Sequence, residues 1–395
     1  MTDPWAIPVD WPPPSPEALA HGRRVQAAVD AAIEAAGGAL PFADYMECVL
    51  HAPGLGYYSA GARKFGVGGD FVTAPELTPL FGACLANAVA PVLETTGGDL
   101  LEIGPGSGRL MADLAGALDR LGRLPRRILL LERSAELRER QRETLAQALP
   151  ESKYSRVAWL EHWPEGFVGA VVANEVLDAF AVERFRITPE GAERFHVVRR
   201  ADGWDWALQP GAGRFAEAVR ALRERHDLPP GFVGEWCPGL EAWIAGLAEA
   251  LAQGAVILID YGEGARARYR PERSGGTLKC HYRHRMHEDP LLLPGLQDIT
   301  ADVDFTAVAE AARRGGMAVA AFVTQAEFLM DAGIEAAFEA QAGSVPGPAL
   351  WRAAQAVRTL MLPGEMGERV RVMLLTRGLD RPLPGFRGRG RLAEL

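Results

Sequence analysis

The sequence predicts an α/β fold built on an open, largely parallel sheet, with a second, partly helical lobe. Three observations carry this. From Asp99 onward, short apolar runs alternate with helical patterns, as expected of strands covered on both faces by helices. The first such run leads directly into a glycine-rich turn, Gly104-Pro105-Gly106-Ser107-Gly108, and then into a helix start. Finally, 395 residues, 48% hydrophobic and 24% charged, exceed one ordinary domain and suffice for a sizeable core.

The elements follow in order. Ser15 before Pro16 and Glu17 is a helix start, Val25, Val29 and Ile33 recur at helical spacing, and Gly37-Gly38 ends the pattern. A second helical stretch carries Phe42, Met46, Val49 and Leu50 on one face and stops at Pro53-Gly54. The glycine-rich run to Asp70 reads as loop, and Pro79 to Leu93 as a third helix. Residues 1–95 are thus an expected N-terminal helical lobe with a Gly-Asp-Phe loop. Strands are expected at Leu100 to Ile103, Ile128 to Leu131, Val157 to Leu160, Ala170 to Ala173 and Ala255 to Asp260, with two more at Met317 to Val323 and Arg369 to Leu375. The stretch from Val182 to Gln253 is too long for a connection. It shows strand-like pieces at Glu183 to Ile187, Arg194 to Val198 and Trp204 to Leu208, so 182–253 reads as a substrate-side insertion between the fourth and fifth strands. The core is then 96–181 with 254–380, and the Pro/Gly/Arg-rich residues 381–395 form a mobile tail.

Charge and cysteine usage narrow the function. With 42 Lys and Arg against 51 Asp and Glu, the net charge of −9 argues against a nucleic-acid partner. Cys48, Cys84, Cys237 and Cys280 are far apart and unpaired in pattern, which predicts reduced thiols in a reducing compartment. Met1 to Pro16 has neither an apolar signal region nor an Arg-rich amphipathic helix, and no run approaches the roughly 20 apolar residues of a membrane span. A soluble, cytoplasmic protein is expected.

The glycine turn lets the backbone bend tightly and approach a ligand, while the following helix offers unpaired N–H groups. Two acids refine this. Glu102 sits at the strand end just before Gly104, where a carboxylate can hold an ammonium group. Glu132 ends the next strand, where a carboxylate takes the two hydroxyls of a ribose. A dinucleotide turn reads GxGxxG and must admit a pyrophosphate, which Glu102 would repel; the pattern here is Gly104, Gly106, Gly108. S-adenosyl-L-methionine therefore fits better than a nicotinamide dinucleotide, with Pro105 inside the same turn. Glu161, after the third strand, is placed either for the adenine edge or as a solvated loop acid.

At the fourth strand end, four apolar residues give way to Asn174 and Glu175, which should face the reacting centre at the carboxyl ends of the strands. Asp178 is a further catalytic candidate or a helix-start acid. In the run Gly69-Asp70-Phe71, Asp70 is placed to orient cofactor or acceptor, with Gly69 and Phe71 at the cofactor, unless it only folds the loop on itself. Cys280 with His281, His284 and His287 lacks the spacing of a metal site, so no metal is expected and the loop reads as substrate-contacting. Asp298 and Asp302 to Asp304 are explained by capping.

These residues resemble the class I methyltransferases of the MidA type. The matching runs are Gly56-Tyr57-Tyr58, Gly69-Asp70-Phe71 with Thr73, Pro75 and Glu76, Glu102 to Gly108, Asn174-Glu175 with Leu177-Asp178-Ala179, and Asp260-Tyr261-Gly262. Gly275-Gly276-Thr277-Leu278, Asp298-Ile299-Thr300-Ala301, Val303-Asp304-Phe305, Thr324-Gln325 and Met366-Gly367-Glu368 continue the match. The resemblance implies a Rossmann-like, seven-stranded methyltransferase sheet. For mitochondrial members, which are complex I assembly factors, it implies a protein arginine as acceptor. An arginine stays protonated below a pKa of about 12, so carboxylates must hold it and take its proton, with Glu175 first and Asp178 and Asp70 behind it. A small-molecule methyltransferase and a non-catalytic, cofactor-binding assembly factor are the alternatives.

Overall fold

Seven strands lie in one hydrogen-bonded row: β1 (Asp99–Ile103), β2 (Ile128–Leu131), β3 (Val157–Leu160), β4 (Phe167–Asn174), β5 (Leu251–Glu263), β6 (Ala318–Thr324) and β7 (Val370–Arg377). Their order is β3-β2-β1-β4-β5-β7-β6. β1 to β5 are parallel, whereas β7 runs antiparallel to both its neighbours. A two-residue strand, Val303–Asp304, adds to the end of β5. The chain is seen here in a computed structural model that describes residues 3–59, 73–342, 347–388 and 390–395. The strands were legible because central parallel strands are buried on both faces and read as unbroken apolar runs. β1 is buried along its whole length, and β2 and β3 have the limits expected from the sequence.

This order places a topological switch point between β1 and β4. From β1 the chain moves outward through β2 and β3, then returns to β4 on the opposite side, which leaves a crevice at the carboxyl ends of β1 and β4. Glu102 and the glycine turn lie at one of those ends, and Asn174 and Glu175 at the other.

Two units divide the chain. One takes Val72–Val176, Glu241–Glu263 and Val303–Leu395 and contains the sheet; the other takes Met1–Phe71, Leu177–Leu240 and Gly264–Asp302. Several of the expected boundaries shift. Helix Leu80–Thr96 belongs to the sheet unit, because Phe81, Cys84, Leu85, Ala88, Val89 and Val92 bury nearly its full circumference in the same apolar cluster as β1 and β4. Helix Leu240–Ala250 also goes there from Glu241 on, with Trp243 against Trp163 and Glu241 paired with Arg314. Residues 264–302, expected in the core, join the inserted unit. The tail beyond Arg381 is not loose: Leu383 and Phe386 are buried, Phe386 packs on Phe328 at 5.2 Å, and the Arg391 N–H donates to Phe322 O. Burying an aromatic or leucine side chain stabilises by about 2 to 3 kcal/mol, which outweighs the turn-forming composition that suggested mobility.

In the other unit, helix Pro16–Ala35 starts at Ser15, whose Oγ accepts the Ala18 N–H, and buries Val25, Val29 and Ile33. It and helix Phe42–His51 pack with an antiparallel sheet of five strands, Leu40–Pro41, Glu183–Ile187, Ala192–Arg200, Gly203–Pro210 and Val233–Trp236. Trp204 is fully buried there, with its indole N–H donated to Asp30 at 2.8 Å. Segment 264–302 is tied in by a buried pair, Arg268 and Glu235 at 3.6 Å, while Glu235 Oε2 accepts both the N–H and hydroxyl of Thr277. Thus the Gly275-to-Leu278 run serves the scaffold.

The cysteine and histidine loop is a hairpin, Lys279–Tyr282 against Arg285–His287, turning at Arg283 and His284, both at positive φ. The chain's own N-terminal segment covers it. Leu293 N–H donates to Pro4 O, Tyr282 OH to Pro12 O and an Arg283 N–H to Pro13 O, and Trp11 packs on His287 at 4.8 Å. Cys280 is fully buried, and among the described residues no three ligating side chains converge on a metal position. Arg283 to Met286 stay exposed at the hairpin's tip.

Candidate active site

The glycine turn is a chain of left-handed residues, Gly104 at φ +61°, Gly106 at +52° and Gly108 at +81°, closed by a Gly108 N–H donated to Pro105 O at 2.7 Å. L-residues other than glycine pay about 1 to 2 kcal/mol for each such conformation. At Gly104 a Cβ would also stand 2.9 Å from the Val176 side chain. The turn opens into helix Arg109–Arg120.

Glu102 is 3% exposed. The Met111 N–H, in the first turn of that helix, donates to its carboxylate, yet no donor among the described residues reaches its Oε2. Burial pushes its pKa up to about 8, with the negative Glu132 adding to the rise and the Met111 N–H opposing it. An acid in this state is satisfied by a cation, because an ammonium supplies both charge and donors.

Glu132 is also buried and its pKa is raised by that burial, against which the Ser134 N–H, Gln141 and the Arg133 N–H act. Its Oε1 accepts from Ser134 N at 2.8 Å and its Oε2 from Gln141 Nε2 at 3.2 Å. Each oxygen keeps capacity for a second donor, the demand made by a vicinal diol. The orphaned Glu102 oxygen, this paired acceptor and the glycine-rich turn fit an adenosylated amino acid. Glu161 is different: its side chain is 63% exposed, and its carboxylate accepts from Arg138 at 2.7 Å, which lowers its pKa.

Across the crevice, Asn174 ends β4 and Glu175 turns the chain at φ +52°. Three bonds hold that turn: Glu175 N–H donates to Ile259 O at 2.8 Å, Val176 N–H to Asp260 Oδ2 at 3.0 Å, and Tyr261 N–H to Asp260 Oδ1 at 2.9 Å. Asp260 is thus a buried positioning residue for Glu175, a role its place in a matched run did not disclose. Glu175 Oε1 accepts from Asn174 Nδ2 at 3.2 Å and from Ala74 N at 3.4 Å. Two residues on, Glu76 accepts the hydroxyl of Ser107 in the glycine turn. The short helix Ala74–Leu77 therefore bonds to both the turn and the acid.

The sheet unit brings together Glu102, Gly104, Pro105, Gly106, Gly108, Glu132, Asn174 and Glu175. Asp178 lies in the other unit, in a turn and not at a helix start, and is buried; its carbonyl accepts the Ala301 N–H at 3.0 Å. Asp298, expected as a cap, is buried and accepts the Tyr58 hydroxyl at 2.6 Å, whereas Asp304 does cap helix Phe305–Arg314. Gly69, Asp70 and Phe71 lie outside the described residues. Gln141 was missed, although a signal was present: it sits between Leu137 and Leu145 on the buried stripe of helix Ala135–Ala148.

Comparisons with known proteins identify the family. A family model of S-adenosyl-L-methionine-dependent methyltransferases matches residues 84–323. The mitochondrial protein arginine methyltransferase NDUFAF7 of Mus musculus is 31% identical over 370 residues, covering 84% of this chain and 80% of that one. Its Homo sapiens counterpart is 29% identical, with 84% and 79% covered. A Burkholderia thailandensis crystal structure bound to S-adenosyl-homocysteine is 41% identical, covers 98% of this chain and 100% of its own, and superposes with a TM-score of 0.91. The chain therefore belongs to the MidA-type family of S-adenosyl-L-methionine-dependent methyltransferases, and S-adenosyl-L-methionine is its cofactor.

Proposed function

We propose that the chain methylates an arginine side chain of a protein, and that this protein is a subunit of respiratory complex I, as the family resemblance implies. The observation that carries the proposal is Glu175, a carboxylate fixed at the switch point by a left-handed turn and two donors on Oε1. The names of the relatives at about 30% identity support the arginine. When bound, S-adenosyl-L-methionine supplies a methyl group on a sulfonium, so one C–S bond breaks as one C–N bond forms. The residues of the chain do the rest: Glu102 holds the ammonium, Glu132 the ribose, and Glu175 pairs with the guanidinium, orients one nitrogen and accepts the proton it loses.

Methyl-labelled S-adenosyl-L-methionine, incubated with the protein and a lysate of cells lacking it, will label a discrete protein whose peptide contains methylarginine. Label confined to small molecules would favour the second reading, and binding without any label would favour a non-catalytic assembly factor. Compartment is a separate proposal. Free cysteines, with Cys84 and Cys280 buried, fit the reducing cytoplasm expected from the sequence, and a fluorescent fusion tests it.

Glu102 adds a pH dependence. Its pKa, raised to about 8, leaves it mostly protonated at neutral pH, and pairing with an ammonium requires that proton to leave. Affinity for S-adenosylhomocysteine will therefore climb between about pH 6 and pH 8, by up to tenfold per unit. Calorimetry at about pH 7 in buffers of different ionisation enthalpy will show close to one proton released, and Glu102→Gln will release none. The same raised pKa predicts that the ligand-free protein loses stability progressively as pH rises from the ordinary glutamate value of 4.5 to about 8, and that the glutamine variant does not. Equal proton release by both proteins would take Glu102 out of the ammonium site.

A further inference from the structure

Gln141 does no chemistry and was not expected at the site, yet it is the most connected polar side chain beside the glycine turn. It is fully buried in helix Ala135–Ala148. The indole N–H of Trp159, on β3, donates to its Oε1 at 2.9 Å, and its Nε2 donates to Gly106 O at 2.9 Å and to Glu132 Oε2 at 3.2 Å. The amide's orientation follows from chemistry. An indole nitrogen can only donate, while a carbonyl and a carboxylate can only accept, so reversing the amide would break all three bonds at once. The backbone is equally close: a Cβ on Gly108 would stand 3.2 Å from the Gln141 Cα.

We propose that Gln141 is a positioning residue that locks the Glu132 carboxylate and the Gly106 carbonyl in one frame, and so sets the enzyme's selection for the ribose diol of its cofactor. The proposal rests on Glu132 being the ribose acid. Glu132 is an acid whose burial works against its charge, and the Gln141 bond, with those from Ser134 and Arg133, works the other way. With one donor already fixed on each oxygen, the carboxylate plane cannot rotate, and its remaining acceptor capacity is presented as a pair. Two hydroxyls on neighbouring carbons match such a pair; a deoxyribose does not. Because an unpaired buried acceptor is costly, a fixed carboxylate discriminates more sharply than a mobile one.

The test measures the affinity of purified full-length protein for S-adenosylhomocysteine and for its 2′,3′-dideoxy analogue. The wild type is expected to prefer the diol by about a hundredfold. In Gln141→Leu the affinity for S-adenosylhomocysteine falls by about tenfold while that for the dideoxy analogue hardly changes, so the preference drops to about tenfold. In turnover the same variant raises KM for the cofactor and leaves kcat near wild type. Trp159→Phe, which removes the donor that orients the amide and keeps an aromatic ring in its place, will show the same pattern at about threefold, and it carries the test if the leucine variant does not fold. Equal losses for both ligands would mean that Gln141 merely supports the turn, and unchanged affinities would mean it has no part in binding; either overturns the proposal. A wild type that does not distinguish the two ligands would overturn the assignment of Glu132 itself.

Discussion

Replacing Glu175 by glutamine will leave S-adenosylhomocysteine bound within about twofold of wild type and lower kcat by about a thousandfold or more. Glutamine has the size of glutamate, and its carbonyl oxygen can keep both the Asn174 Nδ2 and the Ala74 N–H donors that Glu175 Oε1 accepts. The backbone requirement does not change, since the turn at φ +52° asks the same of either residue. Only charge and proton affinity are lost. That loss is decisive for a guanidinium, which stays protonated at any working pH and must hand its proton to a base as the methyl group arrives. Raising the pH within the range the protein survives will therefore not rescue the variant. Single-turnover kinetics and calorimetry on one preparation decide the matter, and normal turnover would remove Glu175 from the catalytic role.

Gly106→Arg will weaken cofactor binding by more than about a hundredfold while the protein stays folded. The substitution forces an L-residue into φ +52°, at a cost of about 1 to 2 kcal/mol, in a turn where Gly104, Gly106 and Gly108 all take left-handed φ. It also adds a permanent cation to the segment that follows Glu102, the residue proposed to receive the cofactor's ammonium. The Gly106 carbonyl that accepts from Gln141 is part of the backbone and survives, so thermal unfolding should shift by only a few degrees. Calorimetry with S-adenosylhomocysteine reads the result. Affinity within a few fold of wild type would show that this turn does not carry the cofactor, and the variant would lose its value as the blank in labelling experiments.

What the sequence disclosed followed the range of the forces involved. β2 and β3 were bounded correctly because each is written locally, as four apolar residues between polar ones. Glu102 and the glycine turn were legible for the same reason, since strand, acid and turn are consecutive. The packing on the hairpin of Cys280 and His287 was not legible because it comes from Pro4 to Pro13, more than 260 residues away, and no spacing rule records such a contact. The tail was misjudged because its glycines and prolines are visible locally, whereas the pocket that takes Phe386 is built by Phe328. Gln141 shows a third kind of miss. A glutamine in a charged helix reads as solvated, and only its phase with Leu137 and Leu145 places it inside. The left-handed turn at Glu175 has no such signal, because Asp260 imposes it from another strand.

The position of β7 also governs how the protein comes off the ribosome. β7 lies between β5 and β6 in space but follows both in the chain, with roughly a hundred residues separating its start from the end of β5. Until it is synthesised, Gly254 to Tyr261 of β5, a mostly apolar stretch, lack the partner that this edge has in the finished sheet. At ordinary translation rates that edge stays open for roughly five to twenty seconds. The yield of the protein in cells is therefore expected to respond to the supply of holdase chaperones more strongly than the stability of the finished sheet would suggest.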